Sequence, residues 1–104
     1  MTDMDPSELA ERIADTSPPV ILDVRSGAEF AAGHIPGSIN IPFWAVPWRT
    51  GELGAAPHDP IVVYCGHGPR AQLARAALCR LGFTRVVCLA GHLSKWRESG
   101  YPVE

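Results

Sequence analysis

A chain of 104 residues that is 46% apolar suffices for one domain with one core, and a net charge of −2 excludes the strongly basic surface that nucleic-acid binding demands. Three cysteines are an odd number and a poor disulfide framework, so a reduced, cytoplasmic setting is expected. No stretch approaches the roughly 20 consecutive apolar residues of a membrane span, and the acidic opening MTDMDPSELAERIAD lacks the basic start and apolar stretch of a secretory leader.

The first predicted element is a helix. Asp5 is placed to cap it, Pro6 suits its first position, Glu8 completes a capping box, and Met4 and Leu9 are spaced for a hydrophobic staple. Leu9 and Ile13 share one face. In PPVILDVR, the continuous run Val20, Ile21 and Leu22 predicts a strand covered on both faces, as in parallel sheets. Ser26 and Glu29 form a second capping box, and Gly33 closes the short helix that contains Phe30. SINIP, residues 38–42, is a second strand. The stretch FWAVPWRTGELGAAPHDP reads as a short helix over Phe43 to Val46 and otherwise as loop, broken by Pro and Gly. IVVY, 61–64, is a third, buried strand. The spacing then predicts a helix over 70–81 with Leu73, Ala74, Ala77, Leu78 and Leu81 on one face, Arg75 and Arg80 outward, and Gly82 as stop. RVVCL, 85–89, is a fourth strand, and HLSKWRESG a last helix with Leu93 and Trp96 inward.

Strands alternating with helices predict an α/β fold of parallel strands with helices on both faces, one domain over 1–104. Ligands of such sheets bind beyond the carboxyl ends of the strands. Cys65 stands at the carboxyl end of the best strand, in VVYCGHGPRAQLA. The backbone must turn there between strand and helix, and Gly66 and Gly68 permit turns that side chains forbid. Successive N–H groups in such a turn form an anion nest, the helix start adds free donors, and Arg70 adds a full positive charge. Pro69 suits the first helical position and removes one donor. The cradle suits negative charge on the Cys65 sulfur, or an anionic group attached to it, which points to covalent chemistry at Cys65 with an anionic substrate. Cys79, in mid-helix, and Cys88, in a strand, read as small apolar residues.

LDVRSGAEFAAGHIPGSINIP (22–42), VVYCGHGPRA (62–71) and LAGHLSKWRESGYPVE (89–104), in that order and spacing, resemble the rhodanese family in its single-domain members. The resemblance covers nearly the whole chain. It implies a three-layer α/β/α fold around a five-stranded parallel sheet. Four strands are visible in the sequence, and the fifth would fall near Thr2 to Met4. The implied activity is sulfur transfer: Cys65 takes the outer sulfur of a small anionic donor such as thiosulfate, becomes a persulfide, and yields that sulfur to cyanide or a thiol. Gly66, His67, Gly68, Pro69 and Arg70 match the rest of the active loop, which binds the substrate and whose amides stabilise the charged sulfur. No metal or organic cofactor is implied, and the histidines show no ligand spacing.

Loop length separates two chemistries on this fold. Phosphatases related to the cell-cycle dual-specificity type have five residues between cysteine and arginine. Here Gly66, His67, Gly68 and Pro69 make four, as in the sulfur-transfer version. Rival readings are a persulfide relay between protein partners, a non-catalytic binding module (such modules commonly lack the cysteine) and, last, a phosphatase. Asp23 and Arg25 match a family motif; they read either as support for the active loop or pocket or, the favoured reading, as a structural ion pair or cap, with Arg25 reaching Glu29 one helical turn on. Glu29 replaces a basic substrate-binding residue of some larger relatives, which weakens any strong preference for thiosulfate. His34 reads as a structural hydrogen-bonder beside Asn40. His67 neighbours either the persulfide or an acceptor, or merely faces solvent. His92 departs from the glycine of many relatives and reads as a change at the helix cap rather than as a group at the entrance. Trp44, Trp48 and Arg49 either line the mouth or pack their own loop.

Overall fold

The computed structural model describes residues 3–104. Its elements are α1 (Pro6–Ile13), β1 (Val20–Asp23), α2 (Gly27–Ala32), β2 (Ile39–Asn40), α3 (Val46–Arg49), β3 (Ile61–Tyr64), α4 (Pro69–Arg80), β4 (Val86–Cys88) and α5 (His92–Glu98), with 3-10 turns at Phe43–Ala45 and Thr50–Leu53. The strands form one parallel sheet in the order β2-β1-β3-β4. Met4 bridges Leu89 in parallel at the outer edge of β4: its N–H donates to the Cys88 carbonyl at 2.9 Å and its carbonyl accepts from Ala90 at 2.8 Å. The expected fifth strand is thus reduced to Met4, and Thr2 lies outside the described residues.

Strand alternation sorts the side chains into two cores. Leu22, Val24, Ile61, Val63, Cys65, Val86 and Cys88 pack with Val46, Leu53, Ala71, Ala74 and Leu78, which places α3 and α4 on one face. Ile21, Val62, Tyr64 and Leu89 pack with Leu9, Leu93 and Trp96, which places α1 and α5 on the other. Both faces are covered, as the apolar strand runs require.

Several local expectations are corrected. Asp5 is the N-cap of α1 but makes no side-chain cap bond, and Glu8 is drawn instead to Arg12 one turn on. The Ser26–Glu29 capping box of α2 is complete. Helical turns continue past Val46 to Leu53, because Pro47 sits in the first turn of α3, where its missing N–H costs nothing. The buried residues of α4 are Ala71, Ala74 and Leu78, whereas Leu73 and Leu81 are 61% and 50% exposed. Arg75 does not point outward: it is half-buried and donates to the Val86 carbonyl at 3.2 Å.

Candidate active site

Cys65 follows directly on β3, and Gly68 is the N-cap of α4 with φ 138°, a conformation that favours glycine. The turn carries the Gly68 N–H back to the Cys65 Sγ, 3.0 Å away. Pro69 opens α4. The loop is anchored from below by α5. The N–H groups of Leu93 and Ser94 donate to the carbonyls of Cys65 (3.1 Å) and Gly66 (3.4 Å). The Cys65 N–H itself is turned away from the sulfur and donates to Nδ1 of His92 at 3.3 Å. His92 is therefore buried beneath the loop, with a backbone φ of 56°, and its Nε2 would lie 3.4 Å from a Cβ on Gly68. This corrects its reading as a cap substitution without a role. With Nδ1 accepting, the ring carries its proton on Nε2. Burial pushes the His92 pKa down, partly opposed by Asp3 and reinforced by His67.

Arg70 does not stand free at the rim. Its guanidinium grips Glu29 in bidentate fashion, Nη1 to Oε1 at 2.7 Å and Nη2 to Oε2 at 3.1 Å. The hydrogen bonds from Arg70 and the Ser26 backbone N–H hold the Glu29 carboxyl at about 2. Glu29 is thus taken by Arg70, and the expected Arg25–Glu29 pair does not form. Arg25 turns to Asp23, two residues back: its Nη2 donates to Asp23 Oδ2 at 2.7 Å, and its backbone N–H to Oδ1 at 2.9 Å. The pair is buried, and Arg25 Nη2 also reaches the Gly33 carbonyl at 2.6 Å. Asn40 Nδ2 donates to the carbonyls of Asp23 (3.1 Å) and Arg25 (2.9 Å), fixing the carboxyl end of β1 beside the loop.

The remaining candidates fall into place around this centre. His34 stacks on Phe30 at 3.7 Å with its Nδ1 2.8 Å from the Phe30 carbonyl, away from the loop. Trp44 and Trp48 stand out into solvent, 66% and 77% exposed, with Arg49 tied to Glu52. Cys88 is fully buried, and burial pushes its thiol up to about 11. Beside the loop opens a cleft of about 380 Å³ lined by Arg25, Gly66, His67, Leu93, Ser94 and Arg97. His67 is exposed and contributes to that wall. Ser94 and Arg97 were not singled out in the sequence; their spacing of three on one helix face is the signal that would have found them. Among the described residues there is no group of three or more His, Cys, Asp or Glu arranged to hold a metal, and no helix long and apolar enough to cross a membrane.

Comparison with known proteins agrees with this fold. The family model described as Rhodanese-like domain matches residues 5–99. A sulfurtransferase of Allochromatium vinosum is 35% identical over 104 residues, covering 99% of this chain and 94% of that protein. The thiosulfate sulfurtransferase GlpE of Stutzerimonas stutzeri is 39% identical over 84 residues, covering 80% and 73%. Among solved structures, a rhodanese-related protein of Thermoplasma volcanium superposes with a TM-score of 0.84 at 31% identity, covering 100% of this chain and 98% of that one.

Proposed function

The chain belongs to the rhodanese-like domain family, and from that membership we propose that it moves sulfane sulfur through a persulfide on Cys65. In the first half-reaction the Cys65 thiolate attacks the outer sulfur of a donor such as thiosulfate. The new Cys65 S–S bond forms as the donor's S–S bond breaks, and sulfite leaves with the electron pair. In the second, a thiol or cyanide attacks the outer sulfur of the persulfide, and Cys65 leaves as thiolate. No external oxidant or reductant enters either step.

The observation that carries this reading is the Gly68 N–H at 3.0 Å from Sγ, inside a loop with four residues between Cys65 and Arg70. A backbone donor fixed on the sulfur supports negative charge there without reorganisation. The three cysteines are unpaired, in keeping with a reducing compartment, and the proposed setting is the cytoplasm.

A relay between protein partners is the second reading, and one contact favours it. Arg70, the cation expected to attract a small dianion, is already neutralised by Glu29. Under that reading thiosulfate turnover is weak and a persulfide carried by another protein is the better donor.

The test is peptide mass spectrometry after incubation with thiosulfate, and separately with inorganic polysulfide, beside Cys65→Ser. A gain of one sulfur atom on the Cys65 peptide, reversed by cyanide and absent from the variant, is expected. No gain from either donor with Cys65 reduced would leave the protein relay, and no gain from a protein persulfide donor as well would overturn the proposal in favour of a binding module. Loss of phosphate from a phosphoester, abolished in Cys65→Ser, would favour the phosphatase.

A further inference from the structure

Three arginines surround the active loop, and their charges are disposed unequally. Arg70 is bound bidentately by Glu29. Arg25 is bound by Asp23 and buried with it. Arg97, on the exposed side of α5, makes no ion pair or side-chain hydrogen bond among the described residues. Its guanidinium lies against Gly33, where a Cβ would overlap it. The carbonyl of that same glycine receives Arg25. Two guanidinium groups therefore gather at one backbone position, Arg25 paired with Asp23 and Arg97 without an ion-pair partner among the described residues, and both line the cleft.

The cleft is also larger than a sulfur donor of thiosulfate size requires. Its volume of about 380 Å³ lies in the range of sites for small organic molecules. Leu93 gives it an apolar wall, Ser94 a hydroxyl, and His67 an imidazole. Gly66 and His67 join it to Cys65, and the Leu93 and Ser94 amides tie the same wall to the loop carbonyls.

We infer that this cleft is the acceptor site, and that Arg97 selects small thiols carrying a carboxylate. This rests on the sulfur-transfer reading. The carboxylate pairs with Arg97, the carbon chain lies on Leu93, and the thiol is delivered past Gly66 to the persulfide. Its thiolate attacks the outer sulfur of protonated Cys65–S–SH. One S–S bond forms, the Cys65 S–S bond breaks, the electron pair returns to Sγ as thiolate, and the proton of the outer sulfur stays on the new persulfide.

The test loads Cys65 with polysulfide, removes the excess, and follows discharge by 3-mercaptopropionate, 2-mercaptoethanol and cysteamine, with rates corrected for the thiolate fraction of each. The anionic thiol should be preferred over the neutral one, and the cationic thiol should be poorest. Rising ionic strength should shrink the preference. Arg97→Gln should lower the anionic-to-neutral ratio about tenfold, the loss of one charge-assisted contact, and Arg97→Lys should restore part of it. Because the ratio is internal to each protein, a partial loss of folded protein cancels. Equal ratios in wild type and Arg97→Gln, or no preference in wild type, overturn the inference. A second arm needs no sulfur chemistry: 3-(methylthio)propionate, which cannot react, should shift the amide resonances of Gly66, Ser94 and Arg97 in the resting protein. Shifts here with no persulfide from any donor would place the failure in the sulfur-transfer reading. No shifts at these three amides would place it in the assignment of the cleft.

Discussion

His92 shows how one side chain ties the sulfur loop to pH. Its ring is buried, its Nδ1 accepts the Cys65 N–H, and burial pushes its pKa below the ordinary 6.5. A buried imidazole that must stay neutral to accept a hydrogen bond resists protonation, while the unfolded chain takes the proton freely. The stability it contributes is complete above pH 6.5 and is lost as pH falls through 6.5 toward the lower folded value. Urea denaturation at pH 7.5 and 5.5 should show wild type weakening over this interval and His92→Asn weakening less; equal slopes in both would disprove the assignment. Asn suits the test because it tolerates the positive φ. The sequence marked position 92 only as a departure from glycine, since the partner of the ring is a backbone N–H 27 residues away. The mistaken Arg25–Glu29 pair has a similar origin. Four-residue spacing pairs side chains within a helix, but Arg25 precedes α2 and lies in the turn after β1, where Asp23 is nearer.

At the scale of elements, α4 is the instructive case. Its existence and its start at Pro69 follow from sequence: the glycine turn, the proline at the first position and the long apolar-periodic run. Its inward face does not, because alanines at 71, 74, 76 and 77 make the apolar stripe broad, and two leucines pull the reading to one side. The sheet accepts the small residues Ala71 and Ala74, which let the helix approach closely, and takes only Leu78 of the leucines. Leu78→Ala should therefore cost about 2–5 kcal/mol by urea denaturation. Leu73→Ala should stay within about 0.5 kcal/mol. Similar losses for the two would mean that Leu73 is packed. The two capping boxes teach a related lesson. S/T-x-x-E logic succeeded at Ser26, whereas at α1 the acidic Asp5 and Glu8 do not cap together and Glu8 pairs with Arg12.

The whole molecule was legible where periodicity and motif speak together, and not where backbone meets backbone. Alternating strands and helices, read with the cysteine loop at a strand's carboxyl end, gave the parallel sheet covered on both faces. The order β2-β1-β3-β4 leaves no mark in composition or spacing. Nor does the return of the tail, where His34 and Glu104 exchange both backbone hydrogen bonds at 3.0 and 2.8 Å while Trp96 Nε1 donates to the Pro102 carbonyl at 2.9 Å. The same holds for the join between α5 and the loop, and that join has a kinetic consequence. The first N–H groups of a helix have no partner within it. Here two of them, on Leu93 and Ser94, are lent to the carbonyls of Cys65 and Gly66. Their exchange with deuterium is governed by loop opening rather than by fraying of the helix. The two amides should show one common protection factor once their intrinsic exchange rates are divided out, and unequal factors would show that the loop does not open as a unit. The breathing of the nucleophile's loop can thus be timed from two protons that lie outside it.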